Sequence, residues 1–211
     1  MHASLETERL LLRRFAEADV DRLLALHNDP EVMRFLNGGK PTSREEVERE
    51  YREHFAGDGY WAAVEKATGE FVGWFVLQSR EGGAPEGHEL GYRLKRSAWG
   101  KGYATEGSLA LVKKGFADLG VRRVWAQTMA VNAASRRVME KAGLVYVRTF
   151  HLEWEDPLPG TEHGEVEYAL TRDAWGGREA DGPGPPGGTG EAPPAQNAAR
   201  PGFSGQERGP E

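Results

Sequence analysis

The sequence predicts one α/β domain over residues 1–175, a mixed and mostly antiparallel sheet with helices on both faces, and three observations support that fold class. First, strand-patterned and helix-patterned runs alternate in the order β-β-β-α-β-α-β-β through the body, which calls for layers rather than a bundle or a sandwich. Second, a body of this length can bury a sizeable core without metal or disulfide staples. Third, from Gly176 onward nearly half the residues are Gly or Pro, and Phe203 is the sole large apolar side chain. A stretch so poor in apolar surface cannot offset its ordering entropy, so residues 176–211 are expected to form a disordered tail.

Each element has its own signal. Leu5 to Phe15, carrying Leu10-Leu11-Leu12, reads as a first strand. Ala18 to Leu26 follows, with Val20, Leu23, Leu24 and His27 at helical spacing. Pro41-Thr42-Ser43-Arg44-Glu45 starts a second helix, with Thr42 and Glu45 as its capping box, running through Val47 and Tyr51 to about Phe55. Tyr60–Glu65 and Phe71–Gln78 form two strands of a meander around an Ala67-Thr68-Gly69-Glu70 turn. After a glycine-rich loop from Arg80 to Gly87, His88–Leu94 alternates Glu89, Gly91 and Arg93 against Leu90, Tyr92 and Leu94.

The clearest helix begins near Ala104. Ala104, Gly107, Ser108, Leu111, Val112, Gly115, Phe116 and Leu119 share one face, and Gly120 supplies the stop. The small residues Gly107, Ser108 and Gly115 on that face let the helix approach the sheet closely. Arg123–Thr128 reads as a strand, Ala133–Ala142 as a helix ended by Gly143, Leu144–Trp154 as a long strand, and Gly164–Thr171 as the last one.

Composition excludes several functions. The chain has no cysteine, which removes disulfides, thiolate metal sites and a thiol nucleophile, and which fits a reducing cytoplasm. The expected location is therefore cytoplasmic. No apolar run approaches the roughly 20 residues needed to span a bilayer, and Met1–Glu6 lacks the features of a signal peptide. A net charge of −6 argues against nucleic acid as partner, because phosphate neutralisation needs a basic stripe, while it suits a cationic amine as well as plain solubility. His88, His151 and His163 have no ligand spacing, so no metal is assigned. Oligomeric state is left open, a homodimer included.

The informative stretch runs from Leu94 through Trp99, Gly100, Lys101, Gly102, Tyr103, Ala104, Thr105 and Glu106. A strand ends, a glycine-bearing loop follows, and a strong helix starts at once. The first N–H groups of a helix lack intrahelical partners and sit at the positive end of its dipole, so they attract an anion. Gly100 and Gly102 let phosphate oxygens reach those amides, and Lys101 adds charge at the rim. A Walker loop needs G-x-x-x-x-G-K-[ST], which is absent, and a dinucleotide fingerprint needs a third glycine in register. A coenzyme A loop remains, and so does a tight turn that binds nothing.

The segment Trp99–Glu106, followed by Asn132-Ala133-Ala134-Ser135-Arg136-Arg137-Val138-Met139-Glu140-Lys141-Ala142-Gly143-Leu144, resembles the GNAT superfamily of acetyltransferases. Within it the likeness is to the ribosomal-protein N-terminal acetyltransferase-like branch. It extends from Leu5 to Trp175, with Glu89-Leu90-Gly91-Tyr92 before the loop and Val166–Arg172 at the end. The superfamily loop pattern is [Q/R]-x-x-G-x-[G/A]; Gly102 and Ala104 match it, whereas Trp99 stands at its first position.

That resemblance implies an acetyl-CoA-dependent N-acetyltransferase whose acceptor is a protein N-terminus or a small-molecule amine. It implies direct attack of the amine on the thioester with both substrates bound, in keeping with the absence of Cys and of a G-x-S-x-G serine. Glu89 is the candidate base, with a surface carboxylate as its plain alternative and Glu153, Glu155, Glu165 and Glu167 as rivals. A backbone N–H near Tyr92–Leu94 would hold the oxyanion. Ser135 is the candidate donor to the departing thiolate, or a first-turn hydroxyl, and Asn132 is a coenzyme contact, an N-cap, or both. Arg136 and Arg137 read as helix-surface charge, with contact to coenzyme phosphates as the alternative. Two other functions fit the same residues: a non-catalytic acyl-CoA-binding regulatory module, and a resistance-type aminoglycoside acetyltransferase. The acceptor walls are expected from Arg34–Lys40 and Trp154–His163.

Overall fold

The computed structural model describes residues 4–79, 87–154 and 156–180. The expected tail lies outside them, except that the last helix, Arg172–Ala180, carries regular structure past Gly176. Most of the glycine-rich loop and Glu155 also lie outside the described residues.

Eight strands form one sheet: β1 (Leu5–Glu6), β2 (Leu10–Arg13), β3 (Tyr60–Glu65), β4 (Phe71–Ser79), β5 (His88–Leu94), β6 (Arg123–Met129), β7 (Val145–Phe150) and β8 (Glu165–Thr171). Their spatial order is β1-β2-β3-β4-β5-β6-β8-β7. Every neighbouring pair is antiparallel except β5 and β6, which run parallel and share rungs at His88↔Val124 and Glu89↔Trp125. Past those rungs β5 continues to Leu94 and β6 to Met129. The expected mixed, mostly antiparallel sheet is thus the one observed.

Among the described residues the α-helices are α1 (Val20–His27), α2 (Pro30–Met33), α3 (Arg44–Glu50), α4 (Tyr103–Ala117), α5 (Ala133–Lys141) and α6 (Arg172–Ala180). They cover both faces. Period-2 alternation along β4 sends Phe75 and Leu77 to the α4/α5 side and Trp74 and Val76 to the α1–α3 side, giving two separate apolar clusters. The small residues of α4 do as expected: a Cβ at Gly107 would lie 2.3 Å from the Phe75 ring, and Ser108 is wholly buried. Leu119, expected on that buried face, is exposed, since α4 has ended at Ala117.

Four local expectations are corrected. The first strand is a hairpin, because Thr7 turns the chain by accepting from Leu10 N–H at its Oγ1 and donating its own N–H to Leu10 O. The capping box lies one residue later, on Ser43 and Glu46. Thr42 is diverted: its N–H donates to Asn28 Oδ1 and its carbonyl accepts from Asn28 Nδ2. The second helix passes into a π-helical turn over Tyr51–Phe55 rather than running uniformly. The long strand stops at Phe150, and the short helix α2, capped by Asp29, was not foreseen.

Candidate active site

The strand–loop–helix signal sits where β5 and β6 part. Lys95 N–H donates to Val72 O, a short 3-10 turn follows over Arg96–Ala98, and Gly100 and Gly102 adopt φ of 72° and 82° before α4 begins. Gly102 is the N-cap of α4 and contributes no side-chain cap. The first-turn amides of Tyr103, Ala104 and Thr105 therefore depend on an outside acceptor. A Cβ at Gly100 would meet nothing within 4 Å, so space for an anion is open on that side. The site fits a diphosphate. Trp99, at odds with the superfamily pattern, has a task of its own: its Nε1–H donates to Leu94 O at 2.9 Å and closes the loop on its strand.

The turn is also held from outside. Glu106 accepts from Thr7 Oγ1 at 2.5 Å, from Arg9 N–H at 2.8 Å and from Arg9 Nε at 2.7 Å. Arg9 also donates from Nη1 to Lys101 O and lies over the Tyr103 ring. Tyr103 donates its hydroxyl to Glu65.

On the same sheet face as α4, Tyr92 and Ser135 meet. Their hydroxyls are 3.1 Å apart, both side chains are wholly buried, and the Tyr92 hydroxyl also lies 3.3 Å from Ser135 O. Burial pushes the Tyr92 phenol far up, so it stays a neutral donor. Asn132 caps α5 by accepting Ser135 N–H and donates Nδ2–H to Thr128 Oγ1. The plain N-cap role is therefore present. Sequence reasoning missed Tyr92 because its alternation pattern says only that it is buried.

Glu89 is on the opposite face, at the last rung before the strands part, beside Gln78 of β4 and Trp125 of β6. It is 8 % exposed. Tyr60 shares that face, hydrogen-bonds Gln78, and is pushed up to about 12 by burial first and by the Glu89 charge second. Four residues on, past Gly91 on the same face, Arg93 is buried over the Trp74 ring, and burial lowers it to about 10. Its Nε finds no hydrogen-bond partner among the described residues. Glu50, whose carboxyl burial would raise but His27 and then Arg93 hold down, and His27, lowered to about 4 by burial and by Arg93, complete a largely buried cluster of titratable groups, with His27 Nδ1 3.3 Å from Glu50. The sequence signal for it was slight: His27 occupied an apolar position of α1.

Among the rivals, Glu167 is bound to Arg123 at 2.6 Å and Arg148 at 3.0 Å, partners that hold its carboxyl down against the effect of burial. A carboxylate so engaged is a poor proton acceptor. Glu165 is buried at the start of β8, Glu153 is exposed, and Glu155 lies outside the described residues. Arg136 donates from Nε to the Tyr168 hydroxyl at 3.1 Å and from Nη1 to Ala130 O at 3.2 Å.

The two loops expected to wall the acceptor touch each other. Lys40 pairs with Asp156, and a Cβ at Gly38 would lie 2.9 Å from Leu158. A cavity of about 490 Å³ opens between Leu152, Trp154, Pro157, Leu158, Thr161 and Glu162. Among the described residues no helix is long and apolar enough to cross a membrane.

Residues 9–145 match the family described as "Acetyltransferase (GNAT) domain". The FsC-acetyl coenzyme A-N(2)-transacetylase of Aspergillus fumigatus is 35 % identical over 184 residues, 82 % of this chain and 77 % of that protein. Among solved structures, an acetyltransferase (GNAT family) from Bacillus anthracis superposes with a TM-score of 0.68 at 24 % identity, over 81 % of this chain and 99 % of that one. The spermidine N-acetyltransferase of Vibrio cholerae, solved with CoA and spermine, superposes at 0.65 with 15 % identity, over 80 % and 99 % of the two chains.

Proposed function

The chain belongs to the GNAT family of acetyltransferases and is an acetyl-CoA-dependent acyltransferase; from that premise we propose that its acceptor is the primary amine of a small molecule. The N(2)-transacetylase named among its relatives supports a small-molecule acceptor over a protein N-terminus, the acceptor that the ribosomal-protein branch would imply. The observation that carries the reading is the position of Glu89. It is a buried carboxylate at the vertex where β5 and β6 part, on the face opposite the coenzyme helix.

In this proposal the diphosphate of acetyl-CoA docks on the amides of Gly102–Thr105, and its acyl arm enters between β5 and β6. The amine approaches from the Glu89 face and loses its proton to Glu89, directly or through water. Its nitrogen attacks the thioester carbonyl, and a β5 backbone N–H between Tyr92 and Leu94 steadies the oxyanion. Collapse breaks the C–S bond; the thiolate takes a proton from the Ser135–Tyr92 hydroxyl pair, the nitrogen sheds its second proton to become the neutral amide, and that proton restores the pair through solvent while Glu89 releases the first to water. Asn132 holds the first turn of α5, and so Ser135, in place.

The test is to mix the protein with acetyl-CoA and a panel of small amines and N-terminal peptides, follow free thiol, and identify products by mass spectrometry. Acetylated small amines are expected. Thiol release with peptides alone would replace the small-molecule acceptor with a protein one. CoA binding without turnover on any acceptor would refute both.

A further inference from the structure

A carboxylate in the first turn of α4 is favourable to the bare helix, since it sits at the positive end of the dipole. The same charge becomes a liability when a diphosphate docks on that turn. Glu106 is such a carboxylate, and its surroundings resolve the conflict. Arg9 reaches it with Nε at 2.7 Å and Nη2 at 2.6 Å, while Thr7 Oγ1 and Arg9 N–H occupy its other oxygen. Its charge is thus matched and its oxygens are filled by residues of the β1–β2 turn.

Arg9 does more than neutralise. Its Nη1 donates to Lys101 O at 2.8 Å, between the two glycines with positive φ, and its guanidinium lies 4.7 Å from the Tyr103 ring centre. A loop with two such glycines has much conformational freedom to lose on binding. One side chain therefore fixes Lys101, Tyr103 and Glu106 together. The turn that presents it is itself anchored, since Lys66 N–H donates to Arg9 O and Lys66 Nζ to Thr7 O.

We infer that Arg9 and Glu106 form a charge-neutral latch, with Arg9 the positioning residue that holds the diphosphate cradle in its binding shape and cancels the Glu106 charge beneath the ligand. This rests on the coenzyme reading given above. The latch acts on the nucleotide end of the donor and leaves the reacting thioester alone.

Calorimetry with CoA separates the possibilities. Arg9→Ala is expected to weaken CoA about tenfold, by exposing the ligand to Glu106 and freeing the loop. Adding Glu106→Gln to Arg9→Ala is expected to recover about threefold of that loss, because the repulsion is gone. A double variant no better than Arg9→Ala overturns the charge role, and an unchanged affinity in Arg9→Ala overturns the latch. A purely structural role predicts the opposite sign for the second substitution. In turnover, the ratio of kcat/KM for acetyl-CoA to that for S-acetylpantetheine, which lacks the diphosphate, is expected to fall about tenfold in Arg9→Ala; an equal fall for both donors counts against the inference. Should Arg9→Ala fail to fold, Glu106→Gln alone is expected to bind CoA at least as tightly as wild type, and a tenfold loss refutes it. Failure of the wild-type protein to bind CoA would instead defeat the coenzyme reading.

Discussion

The two faces of the sheet at the β5/β6 divide are built by different means. On the α4 side the proposed binding elements are backbone amides, two glycines with positive φ, and a hydroxyl pair, all within two contiguous stretches, 92–106 and 132–135. On the α1–α3 side the polar groups are titratable side chains gathered from α1, the end of α3, β3 and β5: His27, Glu50, Tyr60, Glu89 and Arg93. The first face is suited to holding an anion whose shape does not vary. The second has a charge distribution of its own, and on the proposed reading it is the face that selects the acceptor.

The comparison breaks if the faces cannot be perturbed separately. The largest effect is expected from Gly102→Glu, which puts a side chain at φ 82° and a second carboxylate on the cradle. CoA binding should be lost altogether in calorimetry, with the protein still folded by circular dichroism. Next, Glu89→Gln should lower kcat by roughly 10²–10³ while CoA affinity stays within about twofold. If CoA affinity fell as well, the two faces would be one coupled site.

The third prediction concerns pH. His27 is held neutral by burial, its pKa lowered from 6.5 to about 4. The unfolded chain therefore binds a proton that the folded one refuses, and stability should be lost as pH falls from about 6.5 toward 4, by about 3 kcal/mol in total. The depressed Glu50 carboxyl adds to the loss from below its ordinary pKa, in the same direction. His27→Asn should flatten the melting temperature between pH 6.5 and 4; an equally steep fall would remove His27 from the buried cluster. The smallest effect is on the α4 face. Tyr92→Phe leaves the buried Ser135 hydroxyl without its hydroxyl partner and should cost about 1–2 kcal/mol in urea unfolding. A turnover loss of about tenfold in a folded sample would sharpen the proton-donor role, and unchanged turnover would remove it.

Legibility follows the same divide. Gly100, Gly102 and the periodic face from Ala104 to Phe116 announce the cradle because its chemistry belongs to the main chain and so to local spacing. Strand order, the β5/β6 divide and the partnership of Tyr92 with Ser135 join positions 43 residues apart, and no local pattern encodes them. Glu50 was hidden by its setting, the acidic and basic run Arg44–Glu50, which reads as a solvated helix. Arg93 was visible only as one member of an alternating strand. The Arg9–Glu106 pair spans 97 residues, and the sequence offers Glu106 merely as a first-turn acid.

Two rungs, at His88↔Val124 and Glu89↔Trp125, join a five-stranded half of the sheet to a three-stranded half. An extended acyl arm lying in the gap beyond them would act as an extra partial strand, taking up main-chain groups that neither half can satisfy across the opening. On the proposed placement of the donor, its binding would finish the sheet. Within Gly91–Leu94 and Ala126–Met129, the amides that face the gap should exchange faster than those bonded to β4 and β8, and should slow together when the donor arrives, although the two segments belong to different halves of the molecule.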